Sequence, residues 1–148
     1  MRTLITAKTV LTYLAPVVLG SLVTGAAACT VSATPLAFGP IDPLADQPTE
    51  SVGSLTVECP ESMAYTLSVT PGKGTYSQRL MSVGELTLAY NLYIDQEHLF
   101  IFGDGTGDTR VLTGDGVSTE HGVYGKVPAQ PRAYPGHYTD DIVVTVAY

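Results

Sequence analysis

Apolar and polar residues alternate one for one along much of this chain. In Leu55-Thr56-Val57-Glu58-Cys59 the odd positions are apolar and the even ones polar, and Tyr65-Thr66-Leu67-Ser68-Val69-Thr70 repeats the pattern. Leu86-Thr87-Leu88-Ala89-Tyr90-Asn91-Leu92 carries it on even positions, and Ile142, Val144, Val146 and Tyr148 carry it at the end. A period of two predicts strands with one buried face and one wet face. Residues 99–102 and 122–127 predict shorter strands, and 29–33 a first one. Turn chemistry separates these runs: Pro71-Gly72-Lys73-Gly74, then Gly103-Asp104-Gly105-Thr106-Gly107-Asp108, then Gly114-Asp115-Gly116. Residues 40–50 and 128–136 each hold three prolines and no periodicity, which predicts two extended crossing loops. Six or seven short strands without helical periodicity predict a single all-β domain, a β-sandwich.

The N-terminal segment follows a different rule. Arg2 and Lys8 are the only charges before Asp42, and residues 10–23 are mostly apolar. Gly25-Ala26-Ala27-Ala28 then supplies an A-x-A site. A basic start, an apolar stretch and a small-residue site form the layout of a secretory signal peptide. The expected division is therefore 1–28 as signal peptide and 29–148 as the folded domain, exported from the cell. Removing Arg2 and Lys8 leaves five of the seven Lys+Arg against 14 Asp+Glu. Such an acidic chain lacks the basic face that a nucleic-acid binder needs. Two Cys cannot complete a four-ligand zinc site. Cys29 has two readings. It follows Ala28 as the acylated Cys of a bacterial lipoprotein follows its signal, or it pairs with Cys59. Export to an oxidising compartment and the even count favour the disulfide.

The end of the chain carries topology. Gly136-His137-Tyr138-Thr139-Asp140 leads into the apolar run that closes the sequence. A Tyr entering the penultimate strand of an immunoglobulin-like sandwich makes a tyrosine corner, and Tyr138 sits where that role requires. The strand from 141 is then the penultimate one, so the sandwich is incomplete and lacks its last strand. Such a sheet leaves an apolar groove and unpaired backbone groups.

With these pieces in order, the chain resembles the spore coat protein U domain family, which includes subunits of archaic chaperone–usher pili. The resemblance starts at Cys29-Thr30-Val31 and passes Leu36-Ala37-Phe38-Gly39, Leu55-Thr56-Val57-Glu58-Cys59 and Tyr76-Ser77-Gln78-Arg79-Leu80-Met81. It continues through Leu88-Ala89-Tyr90-Asn91-Leu92-Tyr93, Phe102-Gly103-Asp104-Gly105-Thr106-Gly107, Val123-Tyr124-Gly125-Lys126-Val127-Pro128 and Gly136-His137-Tyr138-Thr139-Asp140. Phe102 stands where the family often has Trp. The resemblance implies a Cys29–Cys59 bond in an incomplete immunoglobulin-like sandwich. It implies a periplasmic chaperone that lends a strand, an outer-membrane usher, and a neighbouring pilus subunit whose N-terminal segment replaces the chaperone strand. Main-chain hydrogen bonds and alternate side chains in pockets would hold that strand. Ile142, Val144, Val146 and Tyr148 share one face of the terminal strand and are the expected lining of the donor-strand groove. Polymerising members carry an apolar donor extension before the first Cys. The cleavage site expected here abuts Cys29, so the expected role is a tip or a non-polymerising subunit.

Residues that could carry other chemistry are few. Asp104, Thr106, Asp108 and Asp115 faintly echo a calcium loop, but Thr109 stands where the sharp-turn Gly belongs and the last ligand is no Glu. A Gly-Asp turn is the simpler reading, and Asp95-Gln96-Glu97-His98 reads as a solvated loop. His98, His121 and His137 stand apart, and no G-x-S-x-G is present. Neither catalysis, a metal nor a cofactor is expected. Arg79 lies in an apolar strand context and is expected to pair with a carboxylate such as Glu85 or Asp95. Tyr76 and Tyr134 are placed in loops. The function expected is that of an exported pilus subunit serving adhesion and biofilm formation, passing through the periplasm to the cell surface. The alternatives are a spore-coat structural protein and a self-sufficient secreted or lipid-anchored binding module.

Overall fold

A computed structural model describes residues 28–131 and 133–148. The signal-peptide expectation therefore lies outside the described residues, apart from Ala28. The described residues form eight strands and no helix: β1 (Thr30–Thr34), β2 (Thr49–Val69), β3 (Arg79–Val83), β4 (Leu86–Tyr93), β5 (Ile101–Phe102), β6 (Thr109–Arg110), β7 (Leu112–Val127) and β8 (Val144–Ala147). They pair in the order β1-β2-β7-β4-β5-β6, with β3 on β4 and β8 on β2. All pairings are antiparallel except β5 with β6. The fold is an all-β, immunoglobulin-like sandwich.

The frame is one long ribbon. The alternating runs at 55–59 and 65–70 are not separate strands; both belong to β2, which pairs with β7 along both halves. Residues 59–62 on β2 oppose the single Val117, which shifts the register between Glu58 and Met63 and kinks the ribbon. The triplet Gly114-Asp115-Gly116, expected as a turn, lies inside β7 opposite Tyr65, Ala64 and Met63. Its glycines are there for space and for φ. A Cβ on Gly114 would meet Tyr65 Oη at 2.5 Å, and Gly116 holds φ +114° beside the kink.

Three other expectations need correction. The strand expected at 99–102 shrinks to Ile101–Phe102, because the Asp95 carboxylate takes the N–H groups of Leu99 and Phe100 at 2.9 and 2.8 Å and holds them in a loop. The terminal strand is Val144–Ala147 rather than the whole of 141–148. Arg79–Val83 forms a strand that the expected set did not include, although Arg79 was read in an apolar strand context; its buried positions are Arg79 and Met81, so a charged side chain interrupts the apolar alternation.

One apolar core runs through the sandwich. It gathers Leu55, Val57, Leu67 and Val69 of β2, Met81 of β3, Leu88, Tyr90 and Leu92 of β4, Val123 and Val127 of β7, and Val144 and Val146 of β8. Leu36 and Phe38, in the segment after β1, close one end; the Phe38 and Tyr90 rings meet edge to face with centroids 6.1 Å apart.

Candidate functional site

β2 offers two edges, and β7 pairs along one of them at residues 49–58 and 63–67. The other edge is shared. Residues 54–58 pair with β1 and residues 66–69 with β8. Both partners run antiparallel to β2, so β8 ends near the kink where β1 begins. The Cys29–Cys59 disulfide sits at that junction, with its Cα atoms 4.2 Å apart. Its Cys29 sulfur is therefore not free to carry the thioether of a lipoprotein.

The outer edge of β8 is open. Thr70 donates its N–H to the Val143 carbonyl at 3.0 Å, and Val143 donates to Thr70 Oγ1 at 3.1 Å. Antiparallel pairs alternate between bonded and non-bonded, so the Val69–Val144 and Leu67–Val146 pairs are non-bonded ones. Val69 accordingly turns its N–H the other way, to the Gly103 carbonyl at 3.1 Å. Val144 and Val146 turn their N–H and C=O groups outward. No strand among the described residues meets them there.

The four residues expected to line a groove divide unequally. Ile142, Val144 and Val146 are 0%, 0% and 7% exposed and belong to the chain's own core. Burial of this size stabilises by roughly 1.5–3 kcal/mol per side chain. Tyr148 is 50% exposed. It lies on the rim of an open depression of ≈ 460 Å³ lined by Ala64, Tyr65, Thr66, Thr113, Gly114 and Ala147. The site is thus an open backbone edge along a filled apolar face.

The entry to β8 is held by a buried carboxylate that the alternation pattern did not single out. Asp140 Oδ1 accepts the N–H groups of Lys73 and Asp141, both at 3.0 Å, and Oδ2 accepts the Tyr90 hydroxyl at 2.6 Å. Burial raises the Asp140 pKa above the usual carboxylate value, and these hydrogen bonds offset only part of the rise. Burial, then the Asp140 hydrogen bond, raises the pKa of the Tyr90 phenol and keeps it a donor. Gly72 packs so closely that a Cβ there would stand 2.3 Å from Asp140 Oδ2. The Tyr138 ring is buried, and its hydroxyl donates to the carbonyl of Tyr134, four residues upstream, at 2.9 Å.

Arg79 corrects the sequence reading. It meets neither Glu85 nor Asp95. Fully buried, it donates from Nη1 to Asn91 Oδ1 at 2.6 Å, and from Nη2 to the carbonyls of Phe102 and Thr70 at 2.8 and 3.2 Å. Its guanidinium lies 5.4 Å from the centre of the Tyr76 ring, and its Nε finds no partner. Burial lowers its pKa. Carbonyl dipoles and a ring face replace a counter-ion; the signal in sequence was Asn91, the chain's single Asn, which follows Tyr90, the residue opposite Arg79 on the paired strand.

The remaining polar residues are absorbed by loops. Asp104 Oδ1 accepts the N–H and hydroxyl of Thr106 at 2.9 and 2.6 Å, and these bonds lower its pKa. Asp115 sits apart on β7. Tyr65 Oη and His121 Nε2 lie 2.8 Å apart, and burial lowers the His121 pKa. His98, at φ +57°, sets its ring edge to face on Tyr93. The described residues bring no three His, Cys, Asp or Glu side chains into a metal-holding group.

Comparison with known proteins agrees with this geometry. A family model described as the Spore Coat Protein U domain matches residues 16–145. "Protein U" of Myxococcus xanthus is 29% identical over 129 residues, covering 76% of this chain and 71% of that protein. A chain in the crystal structure of the CsuC–CsuE chaperone–tip adhesion subunit pre-assembly complex, from archaic chaperone–usher Csu pili of Acinetobacter baumannii, superposes with a TM-score of 0.57 at 18% identity. That match covers 82% of this chain but spans 40% of that one.

Proposed function

This chain belongs to the Spore Coat Protein U domain family, and from that premise we propose that it is an exported structural subunit of an archaic chaperone–usher pilus. The observation that carries the proposal is the outer edge of β8, where Val144 and Val146 present unpaired N–H and C=O groups beside a buried apolar face. An extended segment laid along that edge would gain main-chain hydrogen bonds and remove an aggregation-prone edge from solvent. In this reading a periplasmic chaperone supplies the segment in transit, an outer-membrane usher exports the subunit, and a neighbouring subunit then takes the chaperone's place at the cell surface. Residues 1–28 are removed as a signal peptide and 29–148 form the mature domain. In this reading, with cleavage after Ala28, the subunit is a fibre tip or one that does not polymerise, and it serves adhesion and biofilm formation.

A second reading is a structural component of a protective spore coat, built from the same domain. The relationship to Protein U favours it.

The test is a synthetic peptide with Val at alternate positions and Lys between, whose charge suits an exported chain in which five of the seven Lys+Arg face 14 Asp+Glu. Added to the exported protein, it is expected to slow amide exchange at Val144 and Val146 and to raise the unfolding temperature with the logarithm of its concentration above Kd. Unchanged exchange at those two amides, at peptide concentrations that saturate any other binding, would overturn the proposal.

A further inference from the structure

β4 has an exposed edge of its own. Its first half pairs with β3, and the pairing fixes where its backbone groups point. Ser82 turns both main-chain groups to Thr139, at 2.9 and 3.1 Å, and Leu80 donates its N–H to the Lys73 carbonyl at 2.7 Å. The Ser82–Thr87 and Leu80–Ala89 pairs are therefore non-bonded ones. Thr87 and Ala89 turn their N–H and C=O groups away from β3, to the edge that β7 covers only at Asn91, Leu92 and Tyr93. Continued by one more outward residue, the β7 register would set Pro128 against Ala89, and proline has no N–H to give.

Gln130 fills the gap. Its Oε1 accepts the Ala89 N–H at 3.0 Å, and its Nε2 donates to the Ala89 carbonyl at 2.8 Å. One side-chain amide thus makes both bonds that a neighbouring strand would make. Thr87, the next outward residue, has no main-chain partner among the described residues. It borders a cavity of ≈ 320 Å³ shared with Ala129, Gln130, Pro131 and Ala133.

We propose that Gln130 is a lock on the β4 edge, and that the strand it keeps out is β8 of a second copy of this chain. The two edges match. Thr87 and Ala89 on β4, and Val144 and Val146 on β8, each offer outward donors and acceptors two residues apart. They lie on different parts of the molecule, so pairing β8 of one copy with β4 of the next is head-to-tail and leaves each added copy with a free edge for another, in a ring or an open filament. A second copy is the partner always present at equal concentration. The lock works because its bonds are intramolecular and carry no cost of association. This inference rests on the reading of β8 as an open edge, and it adds the residue that restricts strand addition to that edge.

The test compares wild type, Gln130→Ala and Gln130→Ala/Thr87→Pro by sedimentation at matched concentrations. Gln130→Ala is expected to raise the weight-average mass about twofold or more as concentration increases. Thr87→Pro removes an outward N–H without losing a β3 bond, and is expected to return the mass to that of wild type. Amide exchange in the associated species is expected to slow at Thr87 and at Val144 and Val146 together. Three results would overturn the proposal: a Gln130→Ala mass equal to wild type, association that survives Thr87→Pro, or protection at Thr87 without protection on β8. The peptide test on β8 uses wild type alone, so the two readings fail separately.

Discussion

Two buried ionisable side chains show how single residues hold this sandwich together. Arg79 joins β3 to Asn91 on β4 and to the carbonyls of Thr70 and Phe102. Hydrogen bonds to a charged group are worth more than neutral ones, and an acceptor left unpaired in the core costs its full desolvation. Arg79→Ala is therefore expected to lose about 3–5 kcal/mol, with Arg79→Lys between it and wild type because an ammonium lacks the guanidinium's fork. Urea midpoints at unchanged m-value measure both; a loss for Arg79→Ala below that of Arg79→Lys would contradict the bonding described. Asp140 makes a pH prediction. Its folded-state pKa is raised by burial above the carboxyl group's ordinary value of 3.8, so the native state holds this proton more tightly than the unfolded chain. Its contribution is full below the unfolded value and is lost as pH rises through the folded one. Asp140→Asn removes that titration, so the stability difference between wild type and Asp140→Asn is expected to turn against wild type as pH climbs from about 4 towards neutrality. Parallel pH profiles for the two proteins would show that the carboxylate does not titrate there.

At the scale of elements, alternation was legible wherever one face of a strand is buried and the other wet. β1, both halves of β2, most of β4 and the core of β8 lie where the pattern put them. It could not show that the two halves of β2 form one strand. A register shift leaves no mark on periodicity, and the polar residues between the halves read equally well as a loop. Nor could it tell a glycine that turns the chain from one that makes room. Gly114 lies under Tyr65 and His121, and that crowding comes from a residue about fifty positions away in sequence. The Arg79 partner was misjudged because charge counting looks for carboxylates, whereas the folded chain brings carbonyls. Gln130 was invisible for the same reason: a lone polar residue in a proline-rich loop gains its meaning only when β4 ends its pairing beside it.

At the scale of the molecule, the first and last strands share one edge of β2, and the disulfide stands between them. β1 is held by its pairing with residues 54–58 and by the bond from Cys29 to Cys59. β8, from the other end of the chain, reaches the same kink by pairing with residues 66–69. The crosslink closes a loop with a sequence separation of 30, and removing such a constraint from the unfolded chain costs about 3–4 kcal/mol of stability. Replacing both cysteines by Ser is therefore expected to lower stability by about that amount. The loss should also be uneven. Among the described residues β1 pairs only with β2, so its amides at 30–34 should become the fastest-exchanging strand amides, while those of β7 at 124–126, paired with both β2 and β4, keep their protection. Exchange that accelerates equally in β1 and β7 would mean that the crosslink supports the whole sandwich. Exchange that accelerates in β1 first means that it guards one strand, the strand lying beside the open end of β8.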